Sequence, residues 1–375
     1  MKYRRYSVIV CVILLLFLPF RVCAQDSLTG QILADGKAQM EVSEGIAETQ
    51  NFYETTEKIA NGEFEWSFSG ILNYLGNLLF DEIQENFTSL MKMIVVAVMA
   101  GILCNIEGNF AKNSITNLGF LTCFMMIAGL SAGVFRDVVA LARETIDTLH
   151  IFTQGLIPTV ASIAVSGGSG AAASISPLLF VCMQTITYLA KNFFLPFHLV
   201  VCALSIINNV TERFHIGRLI EFARQILKWS TGILLTVYIG LLGFQGFSVG
   251  YLNGVAGKTV KYAVCNFIPL VGSALAESVE AVCASAALVK NSVGVAGILS
   301  LISICLLPLC KLLALSALYR FAAGVAEPVT DKRITNLLGE TAANITQTFV
   351  ILLMLSVMFI ISIGLLCSFT NLPMN

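Results

Sequence analysis

The sequence predicts an all-α, polytopic membrane protein, and three observations predict it. Only 12% of the 375 residues are charged while 57% are hydrophobic, and the mean hydropathy is +0.83. Soluble domains carry about 25% charged residues because their surfaces stay wet, so a chain this poor in charge hides most of its surface in lipid. Several apolar runs also approach the ~20 residues that a helix needs to cross a ~30 Å hydrocarbon core. Finally, Lys2, Arg4 and Arg5 precede the apolar run 7–20, and Val22-Cys23-Ala24 offers small residues for cleavage before Gln25. That order is the signature of a secretory signal peptide over 1–24, with an uncleaved anchor as the other reading.

Residues 25–88 form an acidic extracytoplasmic segment. Between Gln25 and Leu90 twelve acidic residues face only Lys37 and Lys58. The part up to residue 65 is low in apolar content and is either weakly folded or folds on a partner. Beyond it, Ile71, Leu72, Leu75, Leu78, Leu79, Ile83, Phe87 and Leu90 recur at helical spacing with Asp81, Glu82 and Glu85 on the other face. An amphipathic helix opened by Trp66, lying on the outer surface or on the bundle, is the reading.

The polytopic domain occupies 89–375. Spans are expected near 90–106, 115–135, 193–210, 231–248, 295–318 and 345–368. Stretches 155–165 and 175–190 are apolar but short, and Pro158, the run Ser166 to Gly170 and Pro177 interrupt them. They are either a re-entrant hairpin or two tilted spans, which makes about six to eight spans in all. Arg213, Arg218, Arg224 and Lys228 lie between two spans, as do Lys332 and Arg333, so the positive-inside rule puts both segments in the cytoplasm.

An internal duplication organises this domain. Leu156-Ile157-Pro158-Thr159-Val160-Ala161-Ser162 matches Phe267-Ile268-Pro269-Leu270-Val271-Gly272-Ser273, and Leu195-Pro196-Phe197 recurs as Leu307-Pro308-Leu309 at nearly the same offset. Copies of approximately 115–248 and 231–369 are expected, with Pro158, Pro269, Pro196 and Pro308 as helix-breaking positions. In transport folds such repeats place interrupted helices along the pathway.

Motifs for chemistry are weak. Gly257-Lys258-Thr259 lacks the glycine that a phosphate loop needs five residues earlier, where Leu252 stands. The Gly-x-Ser-x-Gly frame near Ser169 is broken at Ala171. Of the 11 cysteines none lies in 25–88 and none forms a CxxC pair, and His150, His198 and His215 are scattered. No catalytic residue, cofactor or metal site is expected, and no basic cluster suggests nucleic acid. Charges within apolar stretches say more, because each costs about 2.5–3.5 kcal/mol at the bilayer centre and so faces the bundle or water. Lys311, Glu277 and Glu280 are the candidates for a polar pathway, while Lys191 suits snorkelling to a headgroup.

The run Lys258-Thr259-Val260-Lys261-Tyr262-Ala263-Val264-Cys265-Asn266-Phe267-Ile268-Pro269-Leu270-Val271-Gly272 closely resembles the core signature of the stage III sporulation protein AE family, as does Ala286 to Gly297. The resemblance covers nearly the whole chain and implies a role in endospore formation. It implies a non-enzymatic polytopic subunit, in the mother-cell membrane around the forespore, of a transenvelope channel or feeding apparatus that supports late forespore gene expression. Partners implied are the other proteins of the stage III sporulation A operon, including a secretion-type ATPase and ring-forming subunits, and indirectly stage II sporulation protein Q. The alternative is a stand-alone secondary transporter with two parallel repeats around a midplane site.

Overall fold

The computed structural model describes the backbone of residues 68–109, 114–166, 170–210, 216–267 and 272–368. Side chains are described over 76–102 (except 89), 119–166, 175–210, 216–244 and 287–368. The signal and most of the acidic segment therefore lie outside the described residues.

The described chain is helical throughout. α1 spans Phe68–Asn109, α2 Ser114–Ser166 and α3 Gly170–Leu189; a π-helical segment, Ala190–Phe194, joins α3 to α4, Leu195–Val210. α5 spans Gly217–Phe267, α6 Gly272–Ala326 and α7 Lys332–Ser368. Five of these stretches are long and apolar enough to cross a membrane, and a sixth joins them if the bent α1 counts as one span. A polytopic helical membrane protein is what the composition demanded.

The helices are longer than the spans expected from hydropathy. α2, with 53 residues, is about 80 Å long at ~1.5 Å per residue, far beyond the ~30 Å hydrocarbon core. The expected surface helix and first span are likewise one helix, α1, bent by 43° between Gly76–Thr88 and Leu90–Ile102. Stretch 155–165 belongs to α2, and 175–190 to α3 and the first residue of the π-helical segment.

The helix-breaking expectation needs correction. Pro158 lies inside α2 and Pro308 inside α6, and both helices continue past them. A proline within a helix loses one backbone bond and clashes with the preceding turn, but in apolar surroundings the remaining backbone groups have no water to turn to and keep their helical bonds around it. Pro196 stands two residues after the end of the π-segment. Its ring would crowd the carbonyl of Asn192, which lies in that wider turn, where Leu195 N–H instead reaches Ala190 O. Pro269 lies outside the described residues, between the ends of α5 and α6.

α7 is the central helix. It packs most extensively on α6 and also touches α2, α3, α4 and α5. Ile345, Leu352, Leu355, Met358, Phe359 and Ile363 are fully shielded. Two glycines set close approaches. A Cβ on Gly101 would overlap the Val329 carbonyl, so glycine lets the turn after α6 sit on α1, where Thr330 Oγ1 donates to Ala97 O at 3.3 Å. A Cβ on Gly297 would overlap Leu156, so α6 and α2 meet there with little side chain between them.

Candidate functional site: a polar cleft and the side chains behind it

At one end of the bundle the start of α5, the end of α6 and the start of α7 enclose an open cleft of about 460 Å³. Arg224, Arg320, Glu327, Thr335, Asn336 and Glu340 line it. The two basic segments separated by about a hundred residues in sequence thus share one wall.

Arg224 leads inward from the cleft. Its Nη2 donates to Ser205 Oγ at 2.8 Å and approaches Glu340 Oε2 at 3.4 Å, and its Nε donates to Asn344 Oδ1 at 3.1 Å. A guanidinium suits this place because its planar fork serves several acceptors at once. Asn344 Nδ2 faces the same Ser205 Oγ at 3.4 Å, and Asn209 Nδ2 donates to the Ser205 carbonyl at 2.8 Å. Deeper still, His198 Nε2 donates to the Asn344 carbonyl at 3.1 Å, with Cys202 Sγ at 3.6 Å from the same nitrogen.

α4 supplies this cluster because His198, Cys202, Ser205 and Asn209 repeat at helical spacing, and all four are buried. The π-segment keeps that face aligned with α3. Buried Ala190, Phe194, His198 and Cys202 are three successive four-residue steps. In a regular helix such steps would carry the seam about 120° round, and the additional residue of a π-turn takes back roughly 100°.

The expected pathway residues fare differently. Lys311 is one-third exposed and pairs at 3.8 Å with Glu82 of α1, joining α6 to the bent helix. Glu277 and Glu280 lie in α6, but their side chains fall outside the described residues. Lys191, read as a headgroup lysine, is instead ion-paired with Asp147 of α2, and Arg143 Nη2 donates to its carbonyl at 3.4 Å. Beside it His150 contacts Gln154 at 2.8 Å and Thr187 at 3.2 Å. Among the described residues no three His, Cys, Asp or Glu side chains gather closely enough to hold a metal ion.

Hydropathy missed two features. His198 has no sequence neighbour of opposite charge, and the signal for it was the polar stripe on α4. Lys290 is completely buried and donates to the Cys367 carbonyl at 2.9 Å. That carbonyl belongs to the last turn of α7, where the backbone lacks internal partners and the helix dipole favours a cation. A Cβ on Gly294 would overlap Cys367 Sγ. The stretch 286–297 that carries part of the sequence resemblance thus clasps the end of α7 and, through Gly297, the Leu156 turn of α2.

Comparison with known proteins finds relatives over most of the chain. The family model described as stage III sporulation protein AE matches residues 50–370. The stage III sporulation protein AE of Bacillus subtilis (strain 168) is 28% identical over 315 residues, which cover 84% of this chain and 79% of that protein. No solved structure matches.

Proposed function

The chain belongs to the stage III sporulation protein AE family, and on that premise we propose that it is a non-enzymatic polytopic subunit of the channel or feeding apparatus between mother cell and forespore. The observation that carries this reading is the shared cleft. Segments 213–228 and 320–340, both cytoplasmic by their basic residues, contribute Arg224, Arg320, Glu327 and Glu340 to one recess that is open at the end of the bundle. A subunit that passes material across a membrane under the drive of a cytoplasmic ATPase needs such a polar landing on that side. The acidic segment 25–88 then faces the space between the two membranes, on the side of the ring-forming subunits, and the residence is the mother-cell membrane around the forespore.

The duplication is part of this reading. The order long helix, break, long helix, short turn, long helix occurs over α2 to α5 and again over α5 to α7, which supports copies of about 115–248 and 231–369 sharing α5.

Photo-crosslinkers at Arg320 and Glu327 in sporulating cells test the proposal. Crosslinks to other proteins of the stage III sporulation A operon are expected, together with a sporulation block after engulfment when the chain is lost. Recovery of an uncrosslinked monomer that moves a solute when reconstituted alone would sink it in favour of a secondary transporter.

A further inference from the structure

Behind the cleft two buried polar atoms meet no hydrogen-bond partner among the described residues: His198 Nδ1 and Gln347 Nε2. Ser131 Oγ is another such atom, on α2, which does not line the cleft. His198 is 0% exposed and Gln347 4%. A buried polar atom left without a partner costs more than a made hydrogen bond returns, so native proteins satisfy such atoms, frequently with internal water.

The two atoms are chemically complementary. His198 Nε2 donates to the Asn344 carbonyl, so Nδ1 of the neutral ring is an acceptor. Gln347 Nε2 is a donor, and Gln347 follows Asn344 by three residues, on the same face of α7. A molecule that donates to the first or accepts from the second meets each need, and water does both. Asn344 also accepts from Arg224, and Arg224 lines the cleft. A continuous series of polar groups therefore runs from solvent to His198: Glu340 and Arg224, then Ser205 and Asn344, then His198, with Gln347 one turn beyond Asn344 on α7.

We propose that the cleft continues inward past Arg224 as an aqueous passage that ends at His198 and Gln347. Its ligand is water, and Arg224 is the side chain between its outer and inner parts. The apolar core of α6 and α7 closes it beyond that point, where Leu352 and Leu355 are fully shielded.

Cys202, beside His198, is a native probe of this passage. Only a thiolate attacks a methanethiosulfonate, and a thiol facing hydrocarbon does not ionise, so its rate of modification reads the presence of water. Cys305 of α6, buried at 3% exposure, is the internal control. The full chain in membrane vesicles is treated with 2-aminoethyl methanethiosulfonate, and peptide mass spectrometry scores each cysteine. Cys202 should react about tenfold faster than Cys305, and Arg224→Ala should accelerate Cys202 alone. Equal rates, with Cys202 indifferent to Arg224→Ala, overturn the passage. If Arg224→Ala also exposes Cys305, the bundle has opened and Gln347→Met decides instead. A higher melting temperature, as expected from removing an unsatisfied amide in a dry site, overturns the proposal, and a lower one supports it.

Discussion

Segments 170–210 and 272–326 carry the same proline element, Leu195-Pro196-Phe197 in one and Leu307-Pro308-Leu309 in the other, yet they treat it in opposite ways. In the first, a π-turn precedes Pro196, the proline is exposed, and the helix that follows presents a row of buried polar side chains to α5 and α7. In the second, the helix runs unbroken through a buried Pro308, and the polar contacts of its described side chains are spread along its length: Lys290 to the end of α7, Lys311 to α1, and Ser316 with Arg320 to Thr346 of α7. The difference teaches what a local irregularity is for. A π-turn shifts the register by one residue and aims polar groups at one place, whereas an unbroken helix holds the scaffold against which they are aimed.

Removing one residue from each segment breaks this comparison most severely. Deletion of Leu306 turns one part of α6 by about 100° relative to the other, with no bulge to absorb the change. It should abolish folded protein by size-exclusion of the detergent-solubilised chain. Deletion of Asn192 instead converts the π-turn to a regular one and leaves the α4 face in place. Its cost should be limited to the proline conflict, about 3 kcal/mol. Equal outcomes for the two deletions would mean that the π-turn has no part in the alignment.

Substitution in the polar cluster comes next. Arg224→Leu leaves Ser205, Asn344 and Glu340 without their shared donor and should cost about 2–3 kcal/mol in thermal melting, moderated because the side chain is 20% exposed. Arg224→Lys should recover less than half, since an ammonium lacks the planar fork. Full recovery would show that charge alone matters here.

The smallest effect belongs to the α6 side of the comparison. Lys311→Leu should destabilise by about 0–1 kcal/mol, because the pair with Glu82 is partly exposed and solvent screens it. A double change with Glu82→Gln should be less harmful than the sum of the two. A drop in sporulation yield with unchanged melting would mark Lys311 as part of a pathway, and an unchanged yield would remove it from one.

Much of the fold was legible because transfer into lipid is decided residue by residue. The apolar runs at 115–135, 231–248, 295–318 and 345–368 announce helices wherever they end up packed, and the scarcity of charge announces the lipid. Helix ends were less legible. Pro158 and Pro308 read as breaks, since sequence shows the missing donor but not the neighbours that keep the remaining bonds dry. The cleft was legible only in halves: Arg224 and the segment 320–340 were each visible as basic and polar, but nothing local said that they meet. Lys191 and Lys311 read as charges seeking water, and each found a carboxylate more than forty residues away.

The sequence by itself determined that this chain is a helical membrane protein with an acidic leading segment and a family resemblance concentrated around 258–297. Only the tertiary structure decided which charges are paired, where α4 turns its polar face, and that Lys290 secures the end of α7. The physical reason is one of range. Hydropathy and periodicity act within a turn or two of helix, whereas hydrogen bonds such as Arg224 to Asn344 join residues 120 positions apart and exist only once the helices have packed.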